Sequence, residues 1–206
     1  MIVGALLVRN EADRYLKRAL ANAASVCDAI VTVDDHSTDA TPDMCRAYGV
    51  VKPARGVAGW TNEAAKRAQL WEAASAAAGP DGWVYAFDAD HELLDHDRQS
   101  VRALCSAEHV NSWSFVLWDC WNTDELHRVD GFWQAWKHPR PWLVRVPPAG
   151  FQPEWPRADV HVGHFPANYP YVSANAPGGI RHLGYVDAKD RAAKMARYLA
   201  LNQPTL

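Results

Sequence analysis

Asp88 and Asp90 lie one residue apart in YAFDADHELLD, residues Tyr85 to Asp95, where an aromatic and apolar run gives way to acids and a histidine. Side chains at i and i+2 of an extended chain point to the same side. Two carboxylates facing one point need a cation, a proton or a substrate to hold them. Mg²⁺ and Mn²⁺ suit such a pair, because they take one or two carboxylates together with substrate phosphate oxygens. The chemistry suggested is the holding of a metal-bridged nucleotide diphosphate.

Two further polar clusters have the same character. Arg9, Asn10 and Glu11 follow the apolar run MIVGALLV, and DDHSTDAT, Asp34 to Thr41, follows the run ending at Val33. A carboxylate such as Asp35 can accept a hydrogen bond from a base N–H or a ribose hydroxyl and so select a nucleotide. Simpler roles are open too: NEA as a helix cap, DDHSTD as a turn with capping aspartates. Lys66 and Arg67 either reach a diphosphate or pair with Glu63 on their own helix.

The elements that must position these clusters read as α/β. MIVGALLV forms a first strand, and Leu16, Ala19, Leu20, Ala23 and Cys27 recur at helical spacing. Ala29 to Val33 is a short β-branched run, so strand, helix and strand make a right-handed βαβ unit with parallel strands. Thr41-Pro42 reads as N-cap and first position of a second helix stopped by Gly49; VVKP is a strand, and TNEAAKRAQLWEAASAAAGP a helix stopped by Gly79-Pro80. Trp83 to Phe87 is the strand that delivers Asp88. In an open α/β sheet ligands bind beyond the carboxyl ends of the strands, and all three clusters fall there.

Beyond Asp95 the character changes. Seven of the ten tryptophans fall between Trp113 and Trp155. SWSFVLWDCW and WLVRV read as strands joined by irregular polar segments. The chain closes on a helix from Ala188 to Leu201, whose Lys189, Arg191, Lys194 and Arg197 read as a solvated face. The expected organisation is one domain over 1–206, with a nucleotide-binding half at 1–95 and a Trp-rich acceptor-side half at 96–206.

Composition excludes several classes. With 206 residues and 49% hydrophobic content the chain can bury a large core, and a formal net charge of −3 lacks the basic excess of a nucleic-acid or acidic-membrane binder. Nucleic acid is left only as a modified acceptor. Four cysteines without a CxxC pair predict buried free thiols in a reducing cytosol. MIVGALLV is too short to span a membrane and lacks the marks of a signal peptide, so the expectation is a cytoplasmic enzyme with no membrane span.

The segments VRNEADRYLKRAL, VDDHSTDAT, NEAAKRAQLWEAA, WVYAFDADHEL and HLGYVDAKDRAAKMARYLAL resemble the small family 2 glycosyltransferases with the nucleotide-sugar-binding GT-A fold. That resemblance implies a mainly parallel, Rossmann-like sheet flanked by helices. It implies a donor that is a nucleotide diphosphate sugar, UDP-linked in most such families, a hydroxyl acceptor, and Mn²⁺ or Mg²⁺. Carried over position by position, it puts the base against the backbone around Leu7 and Arg9 and against Asp35. Asp34 falls beside the ribose, Asp88 serves ribose and metal, and Asp90 is the more direct ligand. Lys66 and Arg67 reach the diphosphate or the sugar. Family members often read DADE, whereas His91 here separates Asp90 from Glu92. A histidine ligand just before the last helix is also common in the family, which assigns that place to His182, reached through a glycine-containing loop at NAPGGI. The alternative for His182 is capping or packing beside Tyr185.

An inverting transfer is the favoured reaction, and it requires a base for the acceptor hydroxyl. Asp130 in HRVDGFW is the first candidate, followed by Asp159 and His161; a retaining reaction would not need one. Trp118, Trp121, Trp133 and Trp136 are either core or a platform for a sugar ring, whereas His36, His96, His109 and His138 are expected on the surface without a role. A nucleotidyltransferase would carry a glycine-rich basic loop where VRNEADR has no glycine. A haloacid-type phosphatase would want Thr or Val at the position of Glu92. A non-catalytic nucleotide-sugar-binding module is the alternative from another class.

Overall fold

The computed structural model describes residues 1–59, 61–130, 134–158 and 162–200. Its first half alternates as the sequence predicts: β1 (Ile2–Val8), α1 (Leu16–Ala24), β2 (Ala29–Asp34), α2 (Thr41–Arg46), β3 (Val50–Pro53), α3 (Glu63–Ala78) and β4 (Trp83–Phe87). β1 pairs in parallel with β2 and with β4, and β2 with β3. β1, β2 and β4 are almost wholly buried, as near-continuous apolar runs covered on both faces must be.

Helices cover both faces. On one side Leu16, Ala19, Leu20 and Ala23 of α1, spaced at 3.6 residues, pack with Ile30 and Phe87. On the other, Leu70, Trp71, Ala74 and Ala78 of α3 pack with Val3, Val31 and Val84. Gly49 is required where the chain leaves α2, since a Cβ there would come 2.0 Å from the Ile30 carbonyl oxygen. Val8 pairs with Asp34 and Leu6 with Phe87, which sets the carboxyl ends of β1, β2 and β4 along one edge of the sheet.

The second half continues the same sheet. β5 (His91–Leu93), α4 (Asp95–Leu104), β6 (Ser112–Asp119), β7 (Arg140–Arg145), β8 (Ser173–His182) and α5 (Ala188–Ala200) complete the fold, with strand order β3-β2-β1-β4-β7-β6-β8-β5. β6 and β7 are the expected SWSFVLWDCW and WLVRV strands, and β7 is antiparallel to both β4 and β6. The sequence reading contained neither β5, α4 nor β8.

NAPGGI is therefore corrected from a loop to part of β8, which lies between β6 and β5. Ser114 faces Asn175 but Val116 faces Gly179, so β8 advances four residues against two and bulges around Pro177, which has no N–H to give. Glycine is needed there, because a Cβ on Gly179 would stand 2.5 Å from Trp118 Nε1 and 2.7 Å from the Val116 oxygen. Among the described residues no helix is long and apolar enough to cross a membrane.

Candidate functional site

A cleft of about 820 Å³ opens where the parallel strands end, and it reaches from Leu7, Arg9 and Asp35 across Asp88 and Asp90 to His182 and α5. That is the size of a small-molecule site.

One end of it is built by the loops after β1 and β2. The Asp35 N–H donates to the Val8 oxygen at 2.8 Å, and Arg9 Nη1 donates to the Asp35 oxygen at 2.5 Å. Asp34 and Asp35 then take different tasks, as neighbours pointing to opposite sides must. Asp34 Oδ2 accepts from the Ser37 N–H and serves the turn; Asp34 does not line the cleft. Asp39 also has a turn role, accepting from the N–H groups of Thr41 and Ala12.

Asp35 faces the cleft. Its Oδ2 takes Lys66 Nζ at 2.9 Å and the Gly59 N–H at 3.0 Å, while Oδ1 is buried without a partner among the described residues. Arg67 Nη1 and Trp142 Nε1, also on cleft residues, are buried donors without a partner among the described residues. Such groups ordinarily find one, so these mark where a ligand would bind. Lys66 and Arg67 sit on α3 and are both buried. Arg67 makes the expected pair with Glu63, its Nε donating at 3.0 Å, and its Nη2 faces Asp88 at 3.4 Å.

At the other end the chain turns at Asp88-Ala89-Asp90 straight into β5. In the sheet register His91 faces His182 across β5 and β8, and Asp119 faces His182 across β6 and β8. His91, Asp119 and His182 are thereby brought together, with Asp90 and Lys194 beside them. His182 Nδ1 lies 2.5 Å from Asp119 Oδ1, and its Nε2 lies 3.3 Å from Asp90 Oδ2 and 3.2 Å from Lys194 Nζ. Ligand atoms of Asp90, His91 and His182 all fall within 4.8 Å of one another. The packing alternative for His182 holds as well, since its ring sits edge-on to Tyr185 at 5.0 Å.

The protonation pattern follows from burial and charge. Burial would raise the Asp90 carboxyl, but His182, His91 and Lys194 outweigh it and hold it far below the usual range. Burial raises and His164, His91 and Arg67 lower Asp88, again to a net strong depression. Burial pushes His91 down to about 4, so its ring is neutral. Its Nδ1 accepts from the Asp88 N–H at 3.2 Å, which leaves the ring proton on Nε2, facing Asp90 Oδ1 at 3.8 Å. His91 is thus a donor toward Asp90 in this arrangement. For His182, burial and Lys194 lower the pKa, yet Asp90 and Asp119 carry it above the ordinary histidine value.

Several of these partners had no role assigned from the sequence. Glu92 points away and pairs with Arg18 through two 2.8 Å contacts, so His91 stands at the site where DADE members carry their acid. Glu11 lines the cleft, paired with Arg14, and burial pushes it up to about 7. His164 Nε2 lies 3.3 Å from Asp88 Oδ1. The α5 cations are not one solvated face: Lys194 and Arg197 line the cleft, whereas Arg191 donates to the carbonyls of Tyr185 and Val186. No local pattern separates them; the packing of α5 does.

Asp130 is exposed, ion-paired with Arg128, and does not line the cleft. Asp159, His161 and Trp133 lie outside the described residues. Trp118 and Trp136 stack on each other, half-buried, 6.4 Å between centroids, and Trp121 stacks on Tyr185. Of the described tryptophans, Trp142 is the one that lines the cleft. His36, His96, His109 and His138 are exposed, as expected.

The description "Glycosyl transferase family 2" matches residues 6–157, a span that contains the Asp35 end of the cleft and both aspartates of DAD. The chain belongs to glycosyl transferase family 2. Its α/β sheet with helices on both faces is the GT-A architecture expected of that family. Among solved structures, the mannosyltransferase PcManGT from Pyrobaculum calidifontis in complex with GDP-Man and Mn²⁺ is 22% identical at a TM-score of 0.42, over 56% of this chain and 35% of that one. TarS 1–349 from S. aureus in complex with UDP-GlcNAc is 19% identical at 0.40, over 59% and 34%. Glucosyl-3-phosphoglycerate synthase from Mycobacterium tuberculosis, in complex with Mn²⁺, UDP and phosphoglyceric acid, is 19% identical at 0.41, over 58% and 43%. This family 2 chain thus covers less than half the length of each of these structures. No curated protein matches it.

Proposed function

We propose that this chain transfers a sugar from a UDP-linked donor to a hydroxyl acceptor, with inversion, using a divalent ion held by Asp90 and His182. The observation that carries this is the presence, in one cleft, of the Asp35 carboxylate, whose Oδ1 is buried without a partner among the described residues, and of a carboxylate and an imidazole that converge on a glycine. A Cβ on Gly184 would stand 2.3 Å from Asp90 Oδ2 and 2.9 Å from His182 Nε2. That cradle, which exists because residue 184 is glycine and which Lys194 Nζ also approaches, suits an ion with one carboxylate and one imidazole ligand once the lysine moves aside, a mixture Mn²⁺ accepts more readily than Mg²⁺. Bound there, the ion would neutralise charge developing on the departing diphosphate.

The base preference follows from Asp35. With Oδ2 occupied by Lys66 and Gly59, one acceptor atom remains, which matches the single N3–H of uracil; guanine presents two adjacent donors and would ask for both oxygens. Arg67, whose buried Nη1 has no partner among the described residues, would donate to the diphosphate or sugar. Asp88, braced by Arg67 and His164, would serve the ribose. Residues 1–95 would form the donor half and 96–206 the acceptor half. The base for the acceptor is sought at Asp159 and His161, which directly precede Val162 to Phe165 of the cleft lining; the ion pair of Asp130 with Arg128 disfavours that residue.

A thermal-shift panel of UDP-, GDP-, CDP- and dTDP-sugars with and without Mn²⁺ tests the reading. A ligand at about a hundred times its Kd adds about 2.7 kcal/mol of stability. The largest shift is expected for a UDP-sugar with Mn²⁺; equal shifts with and without the ion would overturn the metal assignment, and a larger shift with GDP-sugars the base assignment. A pure binding module would show the shift but no turnover of donor.

A further inference from the structure

We propose that Lys194 is a built-in competitor for the cation site, and that it yields to the metal when a nucleotide diphosphate arrives to accept its charge. The proposal rests on the reading that Asp90 and His182 hold the ion.

The geometry centres on one lone pair. His182 Nδ1 faces the Asp119 carboxylate at 2.5 Å, which fixes the proton of the neutral ring on Nδ1 and leaves the lone pair on Nε2. Nε2 is the atom an ion would need, and Lys194 Nζ stands 3.2 Å from it. The ammonium also lies 4.1 Å from the Tyr185 ring centroid, a cation–π distance that holds it in place. A Cβ on Gly184 would meet Asp90 Oδ2, Lys194 Nζ and His182 Nε2, the second at 2.7 Å. Three polar groups therefore converge on the same side of one glycine, and one of them is a cation.

An ammonium and a divalent ion cannot both use Nε2, and as like charges they repel at this range in a buried site. The ion alone must displace Lys194 and gains little. A diphosphate changes the balance: it brings negative charge to the same cleft, within a side-chain rotation of Nζ. Lys194 then moves from imidazole to phosphate, and the ion takes the lone pair. Metal and nucleotide would bind cooperatively, each removing part of the cost of the other.

Mn²⁺ binding, measured by the electron paramagnetic resonance signal of the free ion, tests this in the parent, Lys194→Met, Lys194→Gln and Lys194→Arg, first without nucleotide. Both neutral variants are expected to bind Mn²⁺ alone at least about tenfold tighter than the parent. UDP, titrated at saturating Mn²⁺, is expected to bind them at least about tenfold more weakly. Lys194→Arg should move both constants back toward the parent. A purely structural lysine would weaken both bindings, and unchanged or weaker Mn²⁺ binding in the neutral variants overturns the proposal. Asp90→Asn in the same titration separates the two claims: if it binds Mn²⁺ like the parent, the metal assignment itself is wrong, whatever Lys194 does.

Discussion

Asp119 Oδ1 lies 2.5 Å from His182 Nδ1, although 63 residues separate them in the chain. The contact comes from sheet register, with Asp119 at the end of β6 opposite His182 at the end of β8, and the Cys120 N–H donates to the His182 carbonyl at 3.0 Å beside it. Both side chains are largely shielded. The carboxylate fixes the tautomer and the plane of the ring, as carboxylates behind ligating histidines do.

Asp119→Ala should consequently weaken Mn²⁺-dependent UDP binding by roughly 10- to 100-fold, the usual effect of removing such a partner. Calorimetry with UDP and Mn²⁺ checks it. An unchanged Mn²⁺ dependence would mean that His182 needs no support, or is no ligand.

Asp35→Asn should alter which base is bound. Lys66 and Gly59 both donate to Oδ2, so the amide would keep its oxygen toward them and present NH₂ where Oδ1 stood. That donor opposes the N3–H of uracil but suits the N3 acceptor of cytosine. UDP affinity should fall by about tenfold or more while CDP loses less. Asp35→Ala is a poorer test, because it leaves the buried Lys66 ammonium without its partner, a change that costs about 3–5 kcal/mol of stability.

Lys66→Met should show that cost directly. Lys66 is 3% exposed and held by Asp35 and by the Gly59 oxygen at 2.6 Å. Removing it leaves the Asp35 carboxylate unpaired, and urea unfolding should report a loss of about 3–5 kcal/mol.

The cysteines should be inert. Cys45 and Cys120 are buried, and burial pushes both thiols up to about 11. Only the thiolate reacts, and at pH 8 about one part in a thousand would be ionised. Iodoacetamide at pH 8 should leave both unmodified in the folded protein and modify them in urea.

The first half was legible because parallel strands buried on both faces must be short continuous apolar runs, and IVGALLV, AIVTVD and WVYAF are such runs. The clusters after them were legible because strand ends are where such a sheet leaves space. β8 was not, since Pro177, Gly178 and Gly179 break its pattern, and only the bulge against β6 lets it pair. β5 has three residues, too few to carry a period. His182 was found through family resemblance, whereas Asp119, His91 and Lys194 required knowing which strands and which helix lie beside it. Spacing along the chain holds no trace of that.

UDP release from UDP-sugar donors by the parent and by Asp90→Asn, each with Mn²⁺ and with chelator, tests the central claim most directly. The account predicts turnover by the parent that chelator removes and Mn²⁺ restores, and a loss of at least about a hundredfold in the variant. Turnover that survives chelation, or a variant as active as the parent, would contradict it.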